Sequence, residues 1–156
     1  METPTTRKAA LSLILRSDLM QLSTLDEHGY PETRELFNLR KLRNDCGTFG
    51  PDTPGGVFMN LLGTNTSSRK VAQMRKDPRS CLYYVDPVNF EGLTVVGRAE
   101  EVFDREVRDA LWLAQWEIYY PGGKDGGDFS IFRFMPERAR YYHGLATVEI
   151  PCDGPA

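Results

Sequence analysis

The alternation of hydrophobic and polar positions predicts strands through much of the first half of the chain. Residues 19–25 alternate, residues 26–29 supply turn formers, and residues 30–39 alternate again, which predicts an antiparallel hairpin. Residues 44–56 are rich in Gly, Pro, Asp and Thr and are predicted to form a loop. The apolar run that follows, residues 57–63, predicts a third and buried strand.

The second half of the chain continues the strand pattern. Four further strands are predicted over residues 79–85, 93–103, 129–135 and 139–143. Turn residues around Asp86 separate the first pair, and Pro136 separates the last pair. Gly97 lies inside one strand and predicts a β-bulge or a close approach of the backbone. The segment 121–128 carries four glycines and is predicted to be a loop.

Two segments with helical spacing flank these strands. Thr5 or Thr6 is a candidate cap for the first helix, whose apolar face is predicted from Leu11, Ile14 and Leu15. Asp104 is a candidate cap for the second helix. One stripe of this second helix contains Val107, Leu111, Ala114 and Ile118, and the pattern predicts the longest helix of the chain.

These elements predict a mainly β fold of the α+β class. The links between strands are too short for parallel crossovers, so we expect an antiparallel sheet of six or seven strands. A closed barrel with flanking helices is the simplest arrangement, because closure removes the exposed edges of a sheet. A length of 156 residues predicts one domain over residues 1–156. Residues 151–156 are expected to form a frayed tail.

The segment 63–78 carries the strongest signal for a binding site. It joins the third strand to a short helix that Ser67 or Ser68 is placed to cap and that a proline ends. A helix start presents unpaired N–H groups and a partial positive charge, which favour a bound dianion. Ser68, Arg69 and Lys70 add a hydroxyl and two cations at this point. The residues alone fit a phosphate site and a solvated basic face equally well.

Composition narrows the class of partner. The formal net charge of −3 and the pI near 5.4 argue against a general nucleic-acid binder, which needs an excess of Lys and Arg. No apolar run approaches the ~20 residues needed to cross a bilayer, so no membrane association is expected. The first residues lack the pattern of a secretory signal, and Cys46, Cys81 and Cys152 fit no disulfide framework. We therefore expect a cytoplasmic protein with three thiols.

Other chemistry-bearing residues are sparse. His28 and His143 have no second His or Cys at the spacing of metal ligands, so no metal site is predicted. No Ser-His-Asp or Cys-His pattern is present. Four aromatic residues near one another in sequence fit core packing or a subunit contact better than stacking on a ligand. They are Trp112, Trp116, Tyr119 and Tyr120.

Four motifs follow one another along the chain. They are Pro31-Glu-Thr-Arg34, Gly63-Thr-Asn-Thr-Ser-Ser-Arg-Lys70, Asp77-Pro78 and Thr94-Val-Val-Gly97-Arg-Ala-Glu100. Their order resembles that of the pyridoxamine 5′-phosphate oxidase-like flavoproteins, and residues 119–136 look most like the general stress protein 26 group. The resemblance covers about residues 8–145. It implies a split β-barrel of Greek-key topology that binds FMN.

The resemblance also implies cofactor roles for nine positions. The residues that would bind the FMN phosphate are Arg34, Ser68, Arg69 and Lys70. The residues that would lie along the flavin ring are Thr64, Asn65, Glu35, Leu36 and Phe37, the last three through their main chain. In relatives the cofactor lies between two subunits, so a homodimer is implied. Charge-assisted hydrogen bonds contribute roughly 1.5–3 kcal/mol each, so a flavin without a phosphate is expected to bind poorly.

Two departures from the family pattern bear on the reaction. Pyridoxamine-phosphate oxidases carry a glutamine near the position of Gly92, and they end in an Arg-Leu-His-Asp-Arg type motif that this chain lacks. Vitamin B6 oxidase activity is therefore not expected. The leading hypothesis is an oxidoreductase that moves electrons between FMN and a reduced nicotinamide or small organic molecule. The alternatives are a non-catalytic flavin-binding or redox-sensing stress protein, and the same fold with a deazaflavin or another phosphorylated ligand.

Overall fold

The computed structural model describes residues 4–50 and 53–152, and this part of the chain contains seven strands and four α-helices. The strands are β1 (Leu19–Leu25), β2 (Pro31–Phe37), β3 (Asn60–Asn65), β4 (Arg79–Asp86), β5 (Glu91–Val102), β6 (Phe129–His143) and β7 (Ala146–Pro151). The helices are α1 (Pro4–Arg16), α2 (Leu39–Leu42), α3 (Arg69–Lys76) and α4 (Arg105–Leu111). Short 3₁₀ helices occur at Asn44–Cys46, Gly56–Phe58 and Ala114–Ile118.

The strands form one antiparallel sheet whose two ends do not meet. The order is β2-β1-β4-β5-β6-β3, and β7 adds to β6. Among the described strands, β2 pairs only with β1 and β3 only with β6, so the expectation of a closed barrel was wrong and the fold is a split barrel. Leu39 of α2 and Trp116 of the 3₁₀ helix Ala114–Ile118 line the space between the ends of β2 and β3. The antiparallel class, the strand number and the flanking helices are confirmed.

One long strand, β6, replaces the two short closing strands that were predicted. It has 15 residues, and one edge pairs with β5 while the other is shared by β3 and β7. Pro136 is accommodated at a bulge, since Val96 pairs with Arg138 and Gly97 pairs with Pro136. The bulge predicted at Gly97 is confirmed. A Cβ at this position would lie 2.0 Å from the carbonyl oxygen of Met135.

The last strand, β7, lies partly in the segment that was expected to fray. Ile150 is buried in the core, and Pro151 still pairs with Arg138. Cys152 is buried as well. The ordered chain therefore extends further than predicted, because β7 buries an apolar side chain and completes the outer edge of β6. Residues 153–156 lie outside the described residues.

The third strand begins three residues later than predicted. Gly55 and Gly56 adopt left-handed φ angles of 91° and 61°, and the chain turns through the 3₁₀ helix that contains Val57 and Phe58. Both apolar side chains are buried, as the apolar run predicts, but in this turn rather than in the strand. The hairpin of β1 and β2 is confirmed, although β2 ends at Phe37 because α2 follows almost at once.

The first helix, α1, packs on the sheet with a face that differs in part from the predicted one. Ala10, Leu13 and Ile14 are fully buried, whereas Leu15 is exposed. Thr5 and Thr6 lie inside the helix, which starts at Pro4, so neither is the cap. With 13 residues, α1 is the longest helix of the described chain.

The helix predicted after Asp104 is interrupted at Trp112. Asp104 caps α4 as predicted, since its side chain accepts hydrogen bonds from the N–H groups of Glu106 and Val107. Trp112 is extended, with φ −63° and ψ 135°, so α4 has only seven residues. The break lets both Trp112 and Trp116 pack on Phe129, with ring centroids 5.3 and 5.9 Å away. Tertiary packing here overrides the helical pattern.

A buried polar network fixes the start of β3. The Asn60 side-chain amide donates to Asn38 Oδ1 and to the Tyr84 hydroxyl, both at 2.8 Å. Its Oδ1 accepts from the N–H groups of Arg40 and Leu61. The network links β3 to β4 and to the residue before α2, so the first residue of β3 is held at a defined place.

Three absences hold for the described residues. None of their helices is both long and apolar enough to span a membrane. No group of three or more His, Cys, Asp or Glu side chains there is arranged to hold a metal ion. No disulfide joins Cys46, Cys81 and Cys152.

Candidate functional site

A cavity of about 270 Å³ lies in the split between the two unpaired edges of the sheet. One side comes from the end of β2 and the other from the end of β3. Its lining is formed by Leu19, Glu35, Leu36, Phe37, Leu39, Gly63, Thr64, Asn65, Lys70, Trp116, Tyr119 and Tyr120. Edge strands present backbone N–H and C=O groups without strand partners, so the split offers hydrogen bonds to a ligand from both sides.

The turn from β3 into α3 carries two polar side chains that have no hydrogen-bond or ion-pair partner among the described residues. Ser68 is the N-cap of α3, as one of the two predicted positions, but its side chain makes no capping hydrogen bond. Its Oγ is buried and has no hydrogen-bond partner among the described residues. Two residues later, Lys70 lines the cavity and forms no ion pair or hydrogen bond with any described residue. Burial, and then the charge of Arg34, lower the pKa of Lys70.

Arg34 lies on β2, and its guanidinium donates hydrogen bonds to several acceptors. Its Nη1 donates to Thr24 Oγ1 at 2.6 Å, and its Nη2 donates to Gln73 Oε1 at 3.1 Å. Glu32 lies 3.5 Å from the same Nη2. Burial lowers the pKa of Arg34, and Glu32 opposes that shift. The guanidinium is therefore fixed in direction before any ligand arrives.

Arg69 is turned toward β2 rather than toward the cavity. Its Nη2 donates to Glu32 Oε1 at 2.5 Å, and most of its side chain is exposed. The second oxygen of Glu32 accepts from Gln73 Nε2 at 2.8 Å. Sequence reasoning identified both arginines but missed Glu32 and Gln73, because nothing in their spacing shows that α3 packs beside β2.

Asp128 is a further residue that the sequence did not single out. One carboxylate oxygen accepts from Asn65 Nδ2 at 3.0 Å, and the other accepts from the N–H of Ser67 at 2.8 Å. Its carbonyl accepts from the N–H of Thr66. The hydrogen bonds to the carboxylate, led by the one from Asn65 and followed by those from Ser67, lower the pKa of Asp128. The end of the glycine-rich loop thus holds the turn that leads into α3.

Aromatic side chains form one wall of the cavity. Trp116 and Tyr120 belong to a buried cluster around Phe129, so the predicted core role is correct for them, and they line the cavity as well. Tyr119 is half exposed and packs on Phe37, with ring centroids 6.3 Å apart. Burial and then Asp128 raise the pKa of Tyr120 to about 12, so the hydroxyl stays protonated near neutrality.

The nine predicted cofactor residues fall into two groups. Those that line the cavity are Glu35, Leu36, Phe37, Thr64, Asn65 and Lys70. Arg34, Ser68 and Arg69 do not line it and belong to the charged cluster around the start of α3. A buried hydroxyl without a partner beside a half-buried ammonium is a donor set that fits a phosphate ester. The aromatic wall next to it fits a flat ring.

The position of Gly92 leaves no gap in the sheet. A Cβ at Gly92 would lie 2.2 Å from Cε1 of Tyr142, so the tyrosine ring occupies the space that a larger residue at position 92 would need. The Tyr142 hydroxyl lies 2.8 Å from the hydroxyl of Tyr83. Burial, together with this contact, raises the pKa of Tyr83 to about 12. The tyrosine pair and Gly92 are therefore one packing unit.

Similar proteins of known structure share this fold. A protein from Clostridium acetobutylicum, related to the general stress protein 26 of B. subtilis and described as of the pyridoxinephosphate oxidase family, is 31% identical with a TM-score of 0.78. That alignment covers 97% of this chain and 98% of the other. The General Stress Protein 26 from Bacillus anthracis str. Sterne is 14% identical with a TM-score of 0.68, over 92% of this chain and 98% of that one.

A heme binding protein from Mycobacterium smegmatis has the same fold, with 20% identity and a TM-score of 0.71. The alignment includes 98% of this chain and 60% of the other. No protein of curated function matches the sequence. The sequence profile described as pyridoxamine 5′-phosphate oxidase matches residues 6–143, which is most of the chain. The chain therefore belongs to the pyridoxamine 5′-phosphate oxidase family.

Proposed function

We propose that this chain binds FMN in the split of the barrel and acts as an FMN-dependent oxidoreductase. Two side chains at the start of α3 carry the proposal: Ser68, whose buried Oγ has no partner among the described residues, and Lys70, which is half-buried and has no anion among them. A buried polar group without a hydrogen bond costs about 1–3 kcal/mol. A phosphate ester would satisfy both groups at once.

The charge of the surrounding cluster supports a phosphate. A phosphate monoester carries about −1.5 to −2 charges near neutral pH. Arg34 and Lys70 interact electrostatically, as do Arg34 and Arg69, so three cations lie within one cluster. Cations that repel one another and are partly buried are stabilised when an anion binds among them.

The cavity supports a flat ring beside that phosphate. The main chain of Glu35, Leu36 and Phe37 runs along one edge, and Thr64 and Asn65 lie on the opposite edge. Bound FMN would supply the electron-transfer chemistry, while the protein positions the ring and excludes water. The apolar side of the ring would be covered by Trp116, Tyr119 and Tyr120. In this proposal the chain contributes by positioning the ring.

Flavin binding is tested by titrating the purified protein with FMN, riboflavin and FAD. We expect the visible spectrum of FMN to shift on binding and the affinity for FMN to exceed that for riboflavin at least about tenfold, the loss expected for one charge-assisted hydrogen bond. Equal affinity for FMN and riboflavin would contradict a phosphate role for Ser68 and Lys70. Failure of all three ligands to bind would contradict the flavin proposal itself.

Catalysis is tested separately from binding. The FMN-loaded protein is mixed anaerobically with NADH or NADPH, and loss of the oxidised flavin bands is followed. Reduction faster than that of free FMN supports an oxidoreductase. A bound flavin that no donor reduces would instead support a binding or redox-sensing role, which is the alternative from a different functional class.

The same titration is repeated with a deazaflavin and with haem. The haem arm is included because one structural neighbour is a heme binding protein. Histidine, cysteine and methionine are the usual axial ligands of haem, and the described lining of the cavity contains none of them, although tyrosine also serves. Tight haem binding with no flavin binding would replace the proposed cofactor.

We also propose that the working unit is a cytoplasmic homodimer with FMN at the subunit interface. The cavity of about 270 Å³ is slightly smaller than the ~300–1,000 Å³ of most ligand sites, so one copy encloses only part of the cofactor. Its rim exposes the large apolar side chains of Leu19, Phe37 and Tyr119. A second copy would cover that rim and complete the enclosure.

A further inference from the structure

Glu32 is the carboxylate that lies inside the cationic cluster. It is on β2, two residues before Arg34, and its side chain is about one third exposed. One oxygen accepts from Arg69 Nη2 at 2.5 Å and the other accepts from Gln73 Nε2 at 2.8 Å. The second oxygen also lies 3.5 Å from Arg34 Nη2. Glu32 thus contacts two of the three cations.

The cluster keeps a net positive charge in spite of Glu32. Arg34, Arg69 and Lys70 supply three positive charges, and Glu32 removes one. Asp26 and Glu27 also act electrostatically on Arg69, but neither bonds to it. Lys70 has no anion of its own among the described residues. The three cations and Glu32 together carry a net charge of about +2, which is equal and opposite to that of a phosphate dianion.

Arg69 is the cation whose position depends most on Glu32. Arg34 keeps its hydrogen bonds to Thr24 and Gln73 if Glu32 is removed, whereas Glu32 is the only hydrogen-bond partner of the Arg69 guanidinium among the described residues. Arg69 follows directly on Ser68 at the start of α3. A long and largely exposed side chain at this position is free to turn once its partner is lost.

We propose that Glu32 competes with the ligand phosphate for Arg69 and so lowers the affinity of the site for phosphorylated ligands. Glu32 holds Arg69 in the free protein, and the phosphate takes Arg69 over when it binds. The cost of separating the ion pair, and the repulsion between Glu32 and the phosphate, both oppose binding. This inference rests on the proposed phosphate site and assigns to it a residue that limits affinity.

A purely orienting role for Glu32 predicts the opposite result. If Glu32 only held Arg69 in the conformation that binds the ligand, its loss would weaken binding of FMN. If Glu32 competes, its loss strengthens binding. The sign of the change in affinity therefore decides between the two roles.

The test replaces Glu32 by glutamine, which keeps the shape and removes the charge. We expect Glu32→Gln to bind FMN about tenfold more tightly and to leave riboflavin affinity within about twofold. Glu27→Gln is the matched control, because it removes a carboxylate that acts on Arg69 without bonding to it. Weaker or unchanged FMN affinity in a folded Glu32→Gln protein would overturn the proposal, as would an equal gain in Glu27→Gln.

A double-mutant cycle with Arg69→Gln shows whether the gain passes through Arg69. The gain from Glu32→Gln should be much smaller when Arg69 is already glutamine, because only the repulsion between Glu32 and the phosphate then remains, and an undiminished gain would contradict the competition. Inorganic phosphate is a probe that does not depend on flavin binding. Phosphate should raise the melting temperature of Glu32→Gln more than that of the natural chain, even if neither binds FMN. An equal rise in both would overturn the inference by itself.

Discussion

At the scale of single residues, we expect Lys70 to contribute to ligand binding and to reduce the stability of the fold. Burial and the neighbouring Arg34 lower its pKa, so the charged ammonium is less favourable in the folded chain than in the unfolded one. Natural proteins keep such groups where binding requires them. We predict that Lys70→Met weakens FMN binding about tenfold to a hundredfold, the range of one charge-assisted hydrogen bond.

The same Lys70→Met substitution should leave the free energy of unfolding unchanged or raise it. Fluorescence titration gives the affinity, and urea unfolding gives the stability. Lys76→Met at the other end of α3 is the control, since it removes a lysine from the same helix away from the cavity. A loss of stability in Lys70→Met would show that the lysine has a structural role.

Gly92 and Gly97 test two kinds of close contact. A Cβ at Gly92 meets the ring of Tyr142, which is a side chain, whereas a Cβ at Gly97 meets the backbone of Met135. Overpacking of this kind costs about 1–3 kcal/mol, and backbone relaxes less easily than a ring. We predict that Gly97→Ala is the more destabilising change. In a Tyr142→Ala background the cost of Gly92→Ala should fall, and that of Gly97→Ala should not, as measured by urea unfolding.

At the scale of elements, Asp128 connects the glycine-rich loop to the turn before α3. Its pKa is lowered from the ordinary value of 3.8, so the folded chain binds this proton less readily than the unfolded chain. The stabilisation is fully present well above the unfolded-state value of 3.8 and is lost as the pH falls through the lower pKa of the folded chain. We predict that Asp128→Asn flattens the acid side of the curve of unfolding free energy against pH.

The control for Asp128 comes from the same loop. Asp125→Asn removes a carboxylate whose nearest cation is Arg105, at 3.6 Å, and which does not contact the turn. We expect Asp128→Asn, and not Asp125→Asn, to weaken FMN binding at neutral pH, because Asn65 and Ser67 lose an acceptor. Equal effects of the two variants would show that only the charge of the loop matters.

Elements defined by short-range signals could be predicted from the sequence. The hairpin of β1 and β2, the short helix α3 and the bulge at Gly97 follow from alternation, a cap with a stopping proline, and an isolated glycine. The break at Trp112 and the strand β7 could not be predicted. The first depends on packing against Phe129 and the second on the free edge of β6, and neither partner is close in sequence.

The candidate site shows the same division. Ser68 and Lys70 stand in a motif, so the sequence indicates them directly. Glu32 and Asp128 become part of the site only because β2 and the glycine-rich loop pack against the start of α3. Candidate binding residues that lie next to each other in a motif can be identified from one sequence. Residues that reach them from distant parts of the chain can be identified only once the fold is known.

At the scale of the whole molecule, no hydrophobic layer of described residues covers one face of the sheet. The helix α1 packs on the face that carries Leu82 and Val95, while the other face presents side chains that are half-buried or exposed. They include Gln21, Ser23, Cys81, Tyr83, Thr94, Val96, Arg138 and Arg140. Such a face, continuous with the rim of the cavity at Leu19, is where we expect the second copy to bind.

We predict that Val96→Lys produces a monomer. The new charge lies opposite Arg138 in the sheet and would face its own copy across a twofold axis, so like charges would meet. Light scattering after size exclusion gives the mass, and titration should show that FMN affinity falls when the dimer is lost. Phe103→Lys, at an exposed residue after β5, should leave both unchanged. A dimeric Val96→Lys protein with normal FMN affinity would place the interface elsewhere.

The pairing of β3 with β6 also sets the order in which the molecule is assembled. β3 has no other strand partner, and the residues opposite Asn60–Asn65 are Phe129–Phe134, far along the chain. During synthesis α1 and the first hairpin are made well before β6, so β3 has no strand to pair with until β6 is added. We therefore expect that a chain truncated before β6 lacks the split and binds no ligand there.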